Sequence, residues 1–144
     1  MNNEAITQIR AFDRFYTRIF HLADKYHLKT NLTLLEARIL LEIGEHHRDT
    51  ASLLIQELTV DKGYLSRVLK RLVEQDLLRQ TPDETDKRAK RLSLTPTGQE
   101  QLALLNQRAD DQVATLFAGL SAAETQHLLA AMQYVEDHVH LPQD

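Results

Sequence analysis

The segment from Lys62 to about Gln75 constrains the fold most, because its residues divide into an apolar and a cationic side at helical spacing. The apolar side follows the i, i+3, i+4, i+7 pattern of a buried helix face and comprises Leu65, Val68, Leu69 and Leu72. At 100° per residue, the opposite side comprises Gly63, Arg67, Lys70 and Arg71. The pattern predicts a helix that packs on a core and turns its cations outward.

The charge distribution indicates a local surface for a polyanion. The net charge of −4 taken alone argues against nucleic acid. From Lys62 to Arg91, however, nine Lys and Arg stand against five Asp and Glu, while the remainder holds eight basic and sixteen acidic residues. Such asymmetry is typical of a nucleic-acid-binding surface, although a solvated helix face is the alternative.

The elements around the cationic helix predict a winged helix–turn–helix. A short helix from about Ala51 to Leu58 precedes it, and the turn Thr59-Val60-Asp61 supplies Asp61 as N-cap. A strand over Leu77–Gln80, a turn-rich stretch and an alternating strand over Lys90–Leu94 follow as a hairpin. In this arrangement the second helix enters the DNA major groove.

Helical segments flank this unit on both sides. We predict a first helix from about Glu4 to Tyr26, rich in aromatics, and a second that begins at the capping box Thr33–Glu36 and ends near Gly44. Two more helices open at Thr95-Pro96 and at the capping box Ser121–Glu124. With four Gly and three Pro in 144 residues, the chain is expected to be mainly α with a small β-hairpin wing, in the order α-α-α-α-β-β-α-α.

The predicted DNA contacts fall into two groups on the helix and one on the wing. The residues facing base edges are expected to be Lys62, Gly63, Tyr64, Ser66 and Arg67, whereas Lys70 and Arg71 are placed for phosphates. At the hairpin tip, Lys87 and Arg88 are cationic, and an Arg there can enter the minor groove. Asp86 is interpreted as an orienting partner, and the alternative for Arg88 is a solvated loop charge.

Other chemistry finds little support in the sequence. There is no Cys, so thiol redox switches, disulfides and Cys-ligated zinc are excluded. The seven His show no ligand spacing, and no catalytic motif is present, so we expect no metal, no cofactor and no enzyme activity. Without a signal-like start or a bilayer-length apolar run, a cytoplasmic protein is expected.

The ordered motifs resemble the multiple antibiotic resistance regulator (MarR) family. The wing-to-helix signature is Asp86-x-Arg88-x-x-x-Leu92-x-Leu94-Thr95-x-x-Gly98, and Leu65–Leu78 is similar to the family's recognition helix and exit. Asp76 departs from the Gly that is usual there, which puts the helix end in question. Glu36-Ala37-Arg38 and Gly63–Arg67 are most similar to a subgroup often fused to acetyltransferases, although we expect no such domain in a chain that ends at Asp144.

The resemblance implies one MarR-type domain over residues 1–144, with the winged helix at about 33–95 and dimerisation helices at about 4–26 and 97–140. It implies a homodimer on a pseudo-palindromic duplex operator, usually as a repressor. Many relatives release DNA when a small aromatic or phenolic ligand binds. Candidate lining residues are Phe12, Tyr16, Phe20, Tyr26, His27 and Arg38, for which core packing is the alternative. A winged-helix protein-interaction module is the competing function, against which the cationic helix face argues.

Overall fold

The computed structural model describes residues 1–86 and 88–142. In that part of the chain the helices are α1 (Asn3–Ile19), α2 (Leu34–Gly44), α3 (Ala51–Leu58), α4 (Lys62–Glu74), α5 (Pro96–Leu116) and α6 (Ala122–His138), with a 3₁₀ turn at His27–Lys29 and strands β1 (Leu78–Pro82) and β2 (Lys90–Leu94). This confirms the predicted fold class and element order. No described helix is long and apolar enough to cross a membrane.

Local capping explains where several helices begin. The Thr33 hydroxyl accepts from the Glu36 amide at 3.2 Å, and the Glu36 carboxylate accepts from the Thr33 amide at 2.9 Å. The predicted capping box is therefore formed, and it satisfies amides that have no partner within the helix. At the starts of α4 and α6, the side chains of Asp61 and Ser121 each accept one hydrogen bond, from the amides of Tyr64 and Glu124.

The first helix is shorter than predicted. It ends at Ile19 rather than near Tyr26, and His21 already has a left-handed backbone with φ 52°. Leu28 and Lys29 also have positive φ values, and their carbonyl oxygens accept from Arg108 Nη1 at 3.0 Å and 2.8 Å. A long-range contact from α5 thus satisfies the backbone of a bend that helical periodicity does not reveal.

The chain divides into two compact units, residues 1–110 and 111–144. The core of the first unit lies among α2, α3, α4 and the hairpin, and its fully buried side chains include Leu32, Ile39, Leu40, Leu54, Leu65, Leu72 and Leu78. The strands are antiparallel, with Leu78 opposite Leu94 and Pro82 opposite Lys90. The second unit holds the end of α5 and all of α6, none of whose residues is buried in the single chain.

Candidate nucleic-acid interface

Helix α4 has the two-sided character that its sequence predicts. Leu65 and Leu72 are completely buried, and Val68 and Leu69 are nearly so. The residues assigned to DNA lie on the exposed side, namely Lys62, Gly63, Tyr64, Ser66, Arg67, Lys70 and Arg71. Burial of the leucines fixes the rotation of the helix about its axis, and this rotation sets which side chains face outward.

The first turn of α4 is open and ordered. The Asp61 carboxylate accepts from the Tyr64 amide at 2.9 Å, which anchors the helix start. The Arg67 guanidinium lies 5.8 Å from the centroid of the Tyr64 ring, a cation–π contact. A Cβ built on Gly63 would lie 3.3 Å from the Asp61 carboxylate and 3.8 Å from Arg67 Nη1. Gly63 therefore leaves this end of the helix uncrowded.

The other cations of α4 are free to meet an external anion. Within residues 1–86 and 88–142, none of Lys62, Lys70 and Arg71 forms an ion pair with a carboxylate. These cations are solvated and accompanied by counterions instead of neighbouring carboxylates. A phosphate backbone can therefore replace water and counterions without breaking an ion pair within the protein. The arrangement suits a polyanion.

The wing tip is ordered by a carboxylate. Asp86 Oδ1 accepts from the backbone amide of Arg88 at 3.0 Å, and the Asp86 carbonyl accepts from Ala89 at 3.1 Å. The Arg88 side chain is exposed. Asp86 thus lies where an orienting residue is expected, while the assignment of Lys87 falls outside the described residues.

The base of the wing holds contacts that sequence reasoning missed. Arg91 Nη1 lies 2.8 Å from Asp49 Oδ1, and Arg91 Nε lies 3.2 Å from Asp83 Oδ2. Hydrogen bonds from Thr85, with Arg91 nearby, hold the pKa of Asp83 below its ordinary value. In the alternation of β2, Arg91 lies on the side opposite Leu92, but no sequence signal pointed to Asp49, which is 42 residues away.

The six candidate ligand residues are only partly brought together. Phe12, Tyr16 and Phe20 stack along α1, with ring centroids 5.9 Å and 4.6 Å apart, and Phe12 is 61% exposed. Tyr26 and Arg38 are exposed and His27 is half-buried. Burial, and then the charge of Arg38, lower the pKa of His27.

Two open clefts occur elsewhere in the first unit. One, of about 550 Å³, lies between the end of α2, strand β2 and the start of α5. The other, of about 500 Å³, lies along α1 and the bend that follows it. None of the six candidate residues lines either cleft, so the ligand site stays a prediction. In the described part of the chain, no three His, Asp or Glu side chains are grouped as metal ligands.

Comparison with known proteins shows which sequences and structures this chain resembles. A sequence model described as the MarR family matches residues 30–89, which run from just before α2 into the wing. A mutant MarR from E. coli, crystallised with operator DNA, has the same fold with a TM-score of 0.74 and 27% identity, covering 92% of this chain and 96% of that one. Over residues 30–89 the chain is similar in sequence to the MarR family, and it shares the winged-helix fold of the E. coli protein.

Two further matches extend the comparison. The organic hydroperoxide resistance transcriptional regulator of Bacillus subtilis (strain 168) is 36% identical over 93 residues, which are 65% of this chain and 60% of that protein. BpsR of Bordetella bronchiseptica, whose DNA binding is regulated by 6-hydroxynicotinic acid, shares the fold with a TM-score of 0.71 and 19% identity over 90% of this chain and 98% of that one. This chain spans less than two thirds of the length of the Bacillus subtilis regulator that it matches.

Proposed function

We propose that this MarR-type protein binds a specific duplex DNA sequence and regulates transcription through the exposed side of α4. The observation that carries the proposal is the exposed cationic side of a helix whose opposite side is buried, followed directly by a β-hairpin. Arg67 and the first turn read base edges in the major groove, while Lys70 and Arg71 bind phosphates and fix the register. Arg88 on the wing enters the adjacent minor groove.

The working form is a homodimer. Helix α1 has no buried residue in the single chain, and it exposes Ile6, Ile9, Phe12, Phe15 and Tyr16. In the second unit, Leu129, Val135 and Val139 are each more than half exposed. An exposed apolar surface of this extent is typical of a protein interface. A twofold dimer presents two α4 helices to half-sites about 34–36 Å apart.

Further parts of the proposal rest on the family. We take the chain as one MarR-type domain over residues 1–144, which acts in the cytoplasm as a repressor, without enzyme activity, and releases DNA on binding a small aromatic ligand. The aromatic stack on α1 supports the ligand class. The residues Glu36-Ala37-Arg38 and Gly63–Arg67 support a place near the subgroup often fused to acetyltransferases.

Selection from a random duplex library at near-physiological salt tests the proposal. The expected result is enrichment of a pseudo-palindrome whose half-sites are centred about 10 base pairs apart. Sedimentation of the protein with the enriched duplex is expected to give two chains per site. Weak binding without enrichment would reject sequence-specific recognition and favour a winged helix that binds proteins.

A further inference from the structure

Arg91 joins the wing to the rest of the first unit. Its guanidinium contacts Asp49 on the α2–α3 loop at 2.8 Å and Asp83 at the start of the wing loop at 3.2 Å. The backbone adds a parallel link, because the Leu92 amide donates to the Asp49 carbonyl oxygen at 2.8 Å. Asp49 therefore holds β2 through both its side chain and its main chain. We call this set of contacts the wing clamp.

The α2–α3 loop is itself anchored at the residue before Asp49. The neighbouring Arg48 lies 3.2 Å from Glu42 on α2 and 3.0 Å from Glu57 on α3. The Arg48 amide also donates to the Glu42 carbonyl oxygen at 3.0 Å. Asp49 thus follows a residue that is held by two helices of the core, so contacts with Asp49 fix the position of the wing relative to that core.

A two-stranded hairpin needs such contacts with the core to hold its position. Isolated hairpins are only marginally stable in water, and this hairpin has no third strand in the described chain. Its tip carries Arg88, whose position relative to α4 decides whether the wing and the helix can contact one duplex together. Arg91 differs from Arg88 because two carboxylates already hold it.

We propose that Asp49 is a positioning residue for DNA binding, acting through Arg91 to set the wing that carries Arg88. This inference rests on the proposed function. It assigns an acidic residue a favourable part in binding a polyanion, which is the opposite of its direct electrostatic effect. Arg91 accordingly serves the wing clamp rather than a phosphate.

The predicted sign of the change in DNA affinity allows a direct test of this proposal. Asp49→Asn and Glu84→Gln each remove one negative charge, and Glu84 is exposed in the wing loop without a part in the clamp. By charge alone both variants bind DNA more tightly. The proposal predicts that Asp49→Asn weakens binding of the selected duplex about three- to tenfold, a range typical of coupled contacts. Glu84→Gln is expected to leave affinity unchanged or raise it up to about twofold.

The same variants in an Arg88→Ala background separate positioning from a general loss of stability. If Asp49 acts by placing the wing, Asp49→Asn has little further effect once the Arg88 side chain is gone. An equal loss in both backgrounds would overturn the proposal, as would tighter binding by Asp49→Asn that matches Glu84→Gln. Melting temperatures of the variants show whether the folded fraction differs.

A measurement without DNA tests the wing clamp independently of the proposed function. Amide hydrogen exchange of β1 and β2 is expected to be faster in Asp49→Asn than in wild type, whereas Glu84→Gln leaves it unchanged. Unchanged exchange in Asp49→Asn would reject the clamp even if the protein binds DNA. Faster exchange in a protein that selects no duplex would retain the clamp and reject the proposed function.

Discussion

The hydroxyl of Thr95 donates a hydrogen bond of 2.5 Å to the carbonyl oxygen of Asp76. The same hydroxyl accepts from the Gly98 amide at 3.0 Å, and the Thr95 amide donates to the Leu77 carbonyl oxygen at 3.1 Å. The residue that caps α5 therefore also binds the exit of α4. This connection explains physically why Thr95 and Gly98 belong to one signature with the wing.

Replacing Thr95 by Val removes the hydroxyl while keeping the shape of the side chain. Because Thr95 is 1% exposed, the Asp76 carbonyl and the Gly98 amide lose their partner away from water. We expect a loss of about 2–3 kcal/mol in the free energy of unfolding, measured by urea denaturation. Thr95→Ser is the control and retains most of the stability, since it keeps the hydroxyl. Equal losses in both variants would assign the effect to packing.

Gly98 lies against the backbone of Leu77. A Cβ at this position would come within 2.2 Å of the Leu77 carbonyl oxygen, which belongs to the main chain and cannot rotate away. Gly98→Ala is expected to lower the free energy of unfolding by about 2–3 kcal/mol. Gly119→Ala is the matched control, because no atom lies within 4 Å of a Cβ there. A melting temperature for Gly98→Ala equal to that of the control would contradict the close approach.

Asp76 stands where the resemblance to the MarR family leads one to expect Gly, and its φ of 59° is left-handed. The Asp76 and Leu77 amides donate to the carbonyl oxygens of Val73 and Leu72, so α4 ends in a Schellman motif. Asp76→Gly is expected to raise stability by about 0.5 kcal/mol, as relief of the left-handed backbone exceeds the added chain entropy. Asp76→Ala removes the same carboxylate but keeps the unfavourable φ, so it is expected to lower the melting temperature. Shifts of the melting temperature in the same direction in both variants would contradict strain at the left-handed φ of Asp76.

His27 gives the fold a pH dependence of known sign. Burial and the charge of Arg38 lower its pKa, so the unfolded chain takes up the proton more readily than the folded one. The contribution of neutral His27 is therefore complete above the ordinary value of about 6.5 and decreases as the pH falls below it. His27→Gln is expected to reduce the loss of stability between about pH 7 and pH 5, measured by urea denaturation at each pH. An identical pH profile in the variant and the wild type would contradict this assignment.

Much of the fold was predictable because its determinants are local. Helix α3, strand β2, the capping box at Thr33 and the side-chain cap at Ser121 follow from residues close in sequence. The early end of α1 did not follow from its helical periodicity, and the 3₁₀ turn after it is held by Arg108, some 80 residues further along the chain. Asp49 was missed for the same reason. The residues of α4 that we propose to contact DNA lie on the exposed side, as predicted, because one helix period fixes both sides together.

The central claim is that the exposed side of α4 reads duplex sequence, and paired variants test it most directly. Dissociation constants are measured for wild type, Arg67→Ala and Lys70→Ala on the selected duplex and on a scrambled one, over a range of salt. Arg67→Ala is expected to lose about 1–3 kcal/mol on the selected duplex and little on the scrambled one. Lys70→Ala is expected to weaken both alike and to lower the salt slope by about one unit. Equal losses on both duplexes in both variants would contradict base recognition by α4.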